Sequence, residues 1–175
     1  MGYPKVHTFS IGLRASEDLI RAREISRMIN SIHHEIIFTV TEGLAVLDEV
    51  IRILETYDVT TIRAGIPNYL LAKAVKMHGV KMVLSGEGSD ELLGGYMYNH
   101  FCPGPSEMHF ECVRKMKSLH FYDCLRANKA MSAFGVECRV PFLDKEVVDY
   151  LMNDISPMFK MSSTHPEGPK QEKWI

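Results

Sequence analysis

No apolar run in this chain approaches the roughly 20 residues that a membrane-spanning helix needs. The opening stretch MGYPKV lacks the apolar core of a secretion signal, and Val6 stands where a myristoylation signal wants Ser or Thr, so the expected compartment is the cytosol. There is no basic block to grip nucleic acid and no acidic tail to solvate a neighbour. Instead 20 basic and 22 acidic residues are mixed along the chain and leave a net charge of −2. Internal repeats are also missing. Cysteine is sparse: Cys102, Cys112, Cys124 and Cys138 include no C-x-x-C pair. His100, His109 and His120 lie near them, and His120-x₃-Cys124 fits a helical face, but a second clip for zinc is lacking. Reduced, mostly buried thiols are the expectation. The pair His33-His34 has no second histidine to complete H-E-x-x-H, so both read as strand-edge histidines.

What is present is a chain of 175 residues with 46% hydrophobic content, enough for one globular domain with a real core. Val6–Gly12 (VHTFSIG) reads as a strand. Ser16 caps the helix after it, with Leu19, Ala22, Ile25, Met28 and Ile29 on one face. Glu35–Val40 is a second strand, followed by a helix capped by Thr41 with Leu44, Leu47, Ile51 and Leu54 on its buried stripe. Strand–helix–strand–helix at this spacing implies parallel crossover units in an α/β fold. Asp58, Thr60, Thr61 and Arg63 cluster before a helix expected over Pro67–Met77. They read equally well as a capped helix start with a surface ion pair, or as a hydroxyl-and-guanidinium patch facing an anionic ligand. Gly79 closes that helix, and Val80–Leu84 is the third strand.

The stretch Val80–Tyr96 (VKMVLSGEGSDELLGGY) carries the most chemistry. A buried strand empties into a loop with two glycines and three carboxylates, and in open α/β sheets ligands sit beyond the carboxyl ends of strands. The amides of Gly86, Gly88 and Ser89 are placed to face an anion, and a hydrated Mg²⁺ would reconcile an anion with Glu87, Asp90 and Glu91. No Gly-Lys-Ser/Thr follows, which excludes a Walker loop, and Glu91 stands where a dinucleotide fingerprint needs its third glycine. Beyond Tyr96 the pattern is helical, over Ser106–Leu119 and Phe121–Ala133, with Asp123 and Arg126 three apart on one side of the second. Gly135 stops that helix, VECRVPFLD runs extended, and Asp144 caps a short helix over Lys145–Met152. Ile155–Lys170 reads as a loose loop and Gln171–Ile175 as the first turn of a further helix.

The run Leu84–Tyr96 (LSGEGSDELLGGY) closely resembles the corresponding segment of glutamine-hydrolysing asparagine synthetases. So do HTFSIGL at His7–Leu13, HHE at His33–Glu35, YDVTTIRA at Tyr57–Ala64, YDCLRANKAMSAFGVE at Tyr122–Glu137 and RVPFLDK at Arg139–Lys145. The resemblance covers about Lys5 to Asn153, fades through the Pro/Ser loop and resumes at Glu172-Lys173-Trp174. It implies residues 1–153 as a partial synthetase domain, with residues 154–175 a loop and the start of a helix. The implied fold is α/β, a parallel sheet of the adenine-nucleotide α-hydrolase-like (ATP pyrophosphatase) type followed by a helical segment. The implied reaction is ATP-dependent: the aspartate carboxylate attacks the α-phosphorus, pyrophosphate leaves, and ammonia drawn from glutamine displaces AMP from β-aspartyl-AMP. By matching motif, Ile11 and Gly12 would contact the adenine side, Ser85 and Gly86 the nucleotide through backbone groups, and Asp90 would be the Mg²⁺ ligand. Glu87 would bind nucleotide and act catalytically, accepting a proton from the attacking amine. Asp123 and Arg126 would line the same site, and Thr60, Thr61 and Arg63 would lie near the substrate.

The family's first strand and its SGGxDS pyrophosphate loop belong upstream of Val6. That strand would sit at the sheet's centre, between Val6–Gly12 and Val80–Leu84, so the expected sheet lacks it along with a second Mg²⁺ carboxylate. The glutaminase domain, with its N-terminal cysteine, and a downstream lysine segment are likewise expected elsewhere. RAGIPNY at Arg63–Tyr69 departs from the usual RASTPMY, and Cys138 replaces a common alanine. Two readings follow: an asparagine synthetase, with aspartate, ATP and ammonia as partners and room for a homodimer in the full-length enzyme, or an inactive fragment that at most binds nucleotide or another chain. A relative that closes a β-lactam ring is disfavoured by YDVTTIRA and LRANKAMSA.

Overall fold

The computed structural model describes residues 5–160. They form two compact units, residues 5–83 with Arg126–Cys138, and Leu84–Leu125 with residues 139–160.

The first unit opens with strand β1 (His7–Gly12), helix α1 (Glu17–Met28) and strand β2 (Ile32–Ile37). β1 and β2 pair in parallel, with His7 opposite Ile32 and Gly12 opposite Ile37, so the expected crossover unit is present. α1 lies on this ribbon by a different face from the expected stripe. Leu19 and Ser26 are buried and Ala22 and Arg23 half-buried, at helical i, i+3, i+4, i+7 spacing, whereas Ile25, Met28 and Ile29 are exposed. Polar bonds select that face. The Arg23 guanidinium spans to the Glu35 carboxylate on β2 at 2.5 and 2.8 Å, and the Ser26 hydroxyl donates to the Arg23 carbonyl at 2.9 Å. Apolar periodicity alone does not register such a contact.

Thr39, not Thr41, starts the next helix. Its hydroxyl accepts the Glu42 amide at 3.2 Å while the Glu42 carboxylate takes the Thr39 amide at 2.7 Å, a complete capping box. The helix then breaks at Val46 into α2 (Val40–Ala45) and α3 (Leu47–Leu54), which resets the helical phase. The single expected stripe is therefore divided: Val50 and Leu54 are buried, but Leu44 and Ile51 face solvent. Helix α4 (Val59–Met77) begins eight residues before the expected start, capped by Asp58, with Pro67 inside it. Gly65 lies at the crossing of α3 and α4, where a Cβ would stand 2.4 Å from Leu54 Cδ1.

Strands β3 (Met82–Leu84) and β4 (Glu137–Arg139) make a second two-stranded sheet. Around Val83 and Cys138 the first unit's core gathers Ala72, Val75, Met131 and Val136, with Phe9, Leu71 and Phe134 against them. Met131 belongs to helix α7 (Asp123–Ser132), which ends before Gly135 at φ +67, the expected stop. In the same unit Lys129 bonds the Leu54 carbonyl at 3.3 Å and the Glu55 carboxylate.

The second unit holds helices α5 (Ser89–Leu93), α6 (Pro105–Ser118), α8 (Lys145–Asp149) and α9 (Pro157–Lys160). Leu92, Met108, Cys112 and Leu119 are buried apolar residues of this unit, and Asp144 caps α8 by accepting the Glu146 amide at 2.9 Å, as expected. Lys160 is buried, its Nζ 3.5 Å from Met152 Sδ, and burial pushes its pKa down. The expected loop at Ile155–Lys170 thus begins with a short helix, and its remainder, with Gln171–Ile175, lies outside the described residues. No described helix is long and apolar enough to cross a membrane.

Candidate active site

Within the second unit the chain leaves β3 and turns at once. The Ser85 amide donates to the Arg139 carbonyl at 2.9 Å, so any nucleotide contact from Ser85 falls to its other groups. Gly88 takes φ +93, a conformation that costs L-residues dearly, and a Cβ there would stand 2.3 Å from Leu143 Cδ2. The glycine thereby lets the SGEGSDE loop lie on the PFLD segment. The expectation that three amides face an anion fails at Ser89, whose N–H closes the turn onto the Gly86 carbonyl at 3.2 Å. A turn this tight spends its own donors.

α5 lasts five residues and ends at Gly94, φ +66. The chain folds back so that the Gly95 amide donates to the Asp90 carbonyl at 3.0 Å. Gly95 rests directly on the Asp90 side chain: a Cβ there would lie 1.9 Å from Oδ1. The Asp90 carboxylate is thus seated in a cradle that only glycine leaves open. Glu91, one residue on, is 4% exposed and accepts a hydrogen bond from the Tyr96 hydroxyl. Burial, that bond, and the charges of Asp123 and Asp90 all push the Tyr96 pKa far above its ordinary value, so the phenol stays a donor. The second unit therefore brings together Asp90, Glu91, Tyr96 and Asp123, with Glu87 half-buried on the same loop. Sequence gives Tyr96 no role, and it places Glu91 only among the carboxylates around a hydrated Mg²⁺. The signal available was the Gly94-Gly95 pair set directly before an aromatic residue.

The remaining expected residues lie in the first unit. Ile11 and Gly12 end β1 at its carboxyl edge, and a Cβ on Gly12 would meet Ser16 Cβ at 2.9 Å and Leu19 Cγ at 3.0 Å. Only glycine lets the strand end approach α1 so closely. Thr60, Thr61 and Arg63 ride the first turns of α4 rather than preceding it. The Thr61 amide donates to Asp58 Oδ1 at 2.7 Å, bonds that hold the Asp58 carboxyl below its usual range. Thr61 is buried, whereas Thr60 and Arg63 are exposed. Arg126 lies half-buried on α7, three residues beyond Asp123. Among the described residues no group of three or more His, Cys, Asp or Glu side chains is placed to hold a metal ion.

The family model for asparagine synthase matches residues 2–103 and 101–175. Asparagine synthetase B of Escherichia coli K12 is 56% identical over 173 residues, 99% of this chain and 30% of that protein. Glutamine-hydrolysing asparagine synthetase 2 of Oryza sativa subsp. japonica is 54% identical over 171 residues, 98% of this chain and 28% of its own length. A probable asparagine synthetase of Dictyostelium discoideum is 51% identical over 173 residues, covering 99% and 31%. The chain thus spans less than a third of the length of these curated relatives. The match runs through the SGEGSDE turn with its cradled aspartate and through the β1 end, and this chain belongs to the asparagine synthase family.

Proposed function

We propose that this chain carries part of an aspartate-adenylating site, in which ATP activates the aspartate side chain before ammonia, drawn from glutamine, converts it to asparagine. Residues 1–153 are the synthetase portion and 154–175 lead out of it; the sheet is of the ATP pyrophosphatase type.

The observation that carries the reading is the Asp90 carboxylate seated against Gly95. Mg²⁺ dehydrates reluctantly and is held by one or two carboxylates plus substrate phosphates rather than by a protein cage. A single cradled aspartate fits that demand, and Asp90 is the residue that would hold the ion. When bound, Mg²⁺ neutralises phosphate charge. Glu87 sits three residues before Asp90 on the far side of the Gly88 turn, so the two carboxylates have separate tasks. Glu87 accepts the proton that ammonia must lose as it attacks the acyl-adenylate. Gly86 and Ser85 lie against the nucleotide, Ile11 and Gly12 take the adenine side, and Asp123 and Arg126 line the reacting groups. Thr60 and Arg63 offer a hydroxyl and a planar cation to the anionic substrate, and the buried Thr61 holds the helix start that presents them.

The test is a chimera in which this sequence replaces the matched segment of the Escherichia coli enzyme. Aspartate-dependent pyrophosphate release from ATP, together with asparagine formation, is the expected result. Glu87→Ala should lower asparagine formation by about 10²–10⁴-fold, the usual worth of a positioned proton acceptor. Unchanged asparagine formation in that variant removes Glu87 from the reaction.

A further inference from the structure

Two cross-links hold the same pair of segments in the second unit. The backbone link runs from the Gly95 amide to the Asp90 carbonyl at 3.0 Å. The side-chain link is one residue on in both segments, from the Tyr96 hydroxyl to the Glu91 carboxylate. Gly95, between them, is the surface on which the Asp90 carboxylate rests. A shift of Tyr96 is therefore a shift of the Asp90 cradle.

The Tyr96 ring is itself seated from α6. It stacks on Tyr98 with centroids 5.7 Å apart and planes 11° from parallel. The Lys115 ammonium lies over both rings, 5.3 Å from the Tyr96 centroid and 5.6 Å from that of Tyr98. The Tyr98 hydroxyl donates to Glu111 at 2.9 Å, and Arg114 holds that carboxylate with two bonds of 2.7 Å. Glu91 is too buried to find water in place of the phenol, so losing the Tyr96 hydroxyl leaves a desolvated carboxylate short of a donor.

We propose that Tyr96 is a positioning residue: through Glu91 it fixes the Asp90–Gly95 turn in the geometry that receives a metal-bound pyrophosphate. This rests on the assignment of Asp90 above, and the experiment separates the two.

Mn²⁺ with inorganic pyrophosphate is titrated into the chain and into Tyr96→Phe, with free Mn²⁺ read by electron paramagnetic resonance. Exchange of the Gly95 amide is followed by NMR, with the Phe38 amide, which donates to Gly12, as the reference for the first unit. In Tyr96→Phe, Gly95 exchange should speed by about tenfold and metal–pyrophosphate affinity fall by about as much, the weight of one hydrogen bond to a charged group, while Phe38 stays protected. The single variant Glu91→Gln keeps Tyr96, and its amide oxygen still accepts the phenol, so both readings should stay near the parent values. Should Tyr96→Phe not fold, the parent chain alone decides, because coupling is reciprocal: Mg²⁺ and pyrophosphate must then slow Gly95 exchange. Unchanged Gly95 exchange, in the variant or on ligand addition, overturns the proposal. So does faster exchange with undiminished affinity, which makes the pair structural only. A parent chain that binds no metal–pyrophosphate overturns the Asp90 assignment itself, and the positioning role with it.

Discussion

Gly88→Ala places a methyl group where the second unit has neither the backbone freedom nor the space for one. At φ +93 an L-residue loses about 1–2 kcal/mol to the clash of its Cβ with the following carbonyl. The new Cβ would also lie 2.3 Å from Leu143 Cδ2 and 2.9 Å from Cγ, and relieving such overpacking costs about 1–3 kcal/mol. Leu143 is a flexible side chain and gives part of the way, so a total near 3 kcal/mol is expected. With a urea slope of about 2 kcal/mol/M, the unfolding midpoint followed by circular dichroism should fall by about 1.5 M. Gly86→Ala is the control: nothing lies within 4 Å of its Cβ, and its cost should stay within about 0.5 kcal/mol. In a Leu143→Ala background the steric part disappears and only the backbone part, about 1–2 kcal/mol, should remain. Equal midpoints for the two glycine variants, or an undiminished Gly88→Ala cost in that background, would refute the reasoning.

Thr39→Ala removes the hydroxyl that accepts the Glu42 amide and should cost about 1 kcal/mol of stability, measured as a lowered thermal midpoint. His34 is stacked between Phe9 and His7, with His78 at 4.2 Å and His33 beside it, and burial followed by the charges of these histidines holds its pKa below the ordinary value. The unfolded chain thus takes up the proton first, so this stability is present above about pH 6.5 and is lost as pH falls through the depressed folded value. His34→Gln should flatten that part of the stability–pH curve, and an unchanged slope between pH 7 and 5 would count against the account.

The parallel β1–α1–β2 unit was legible because its signals are local and agree with one another. A β-branched run ends in a glycine that must be small, and Ser16 holds the N-cap position of the helix that follows, although its hydroxyl makes no capping bond. Where the reading went astray, a contact between distant residues decided the outcome. Arg23 sits on the packed face of α1 because Glu35 lies 12 residues away on β2 to receive the guanidinium. Pro67 misled for a different reason. Proline suits a helix start because its missing N–H would be idle there, yet in α4 it lies within the helix and cannot donate to the Arg63 carbonyl. That places Thr60, Thr61 and Arg63 on a helix already capped by Asp58, where Thr61 is packed inward and its two neighbours point outward.

The proposed site is suggested by composition and sorted by geometry. Three carboxylates after a strand are what the cation reading proposed above rests on in the sequence, but spacing does not say which of them faces a ligand. In the folded turn the three diverge. Glu91 is withdrawn into the second unit and spent on Tyr96, Asp90 is held against a glycine, and Glu87 stays on the far side of a left-handed residue. The information that separates them lies in Gly88, Gly95 and Tyr96, residues with no ionic chemistry of their own. Gly88 sets Glu87 apart from Asp90, Gly95 leaves the volume that the Asp90 carboxylate occupies, and Tyr96 supplies a hydrogen that makes a buried Glu91 tolerable. A carboxylate substituted in this loop would report on chemistry, whereas a glycine or the tyrosine substituted in it would report on which carboxylate is available to do that chemistry.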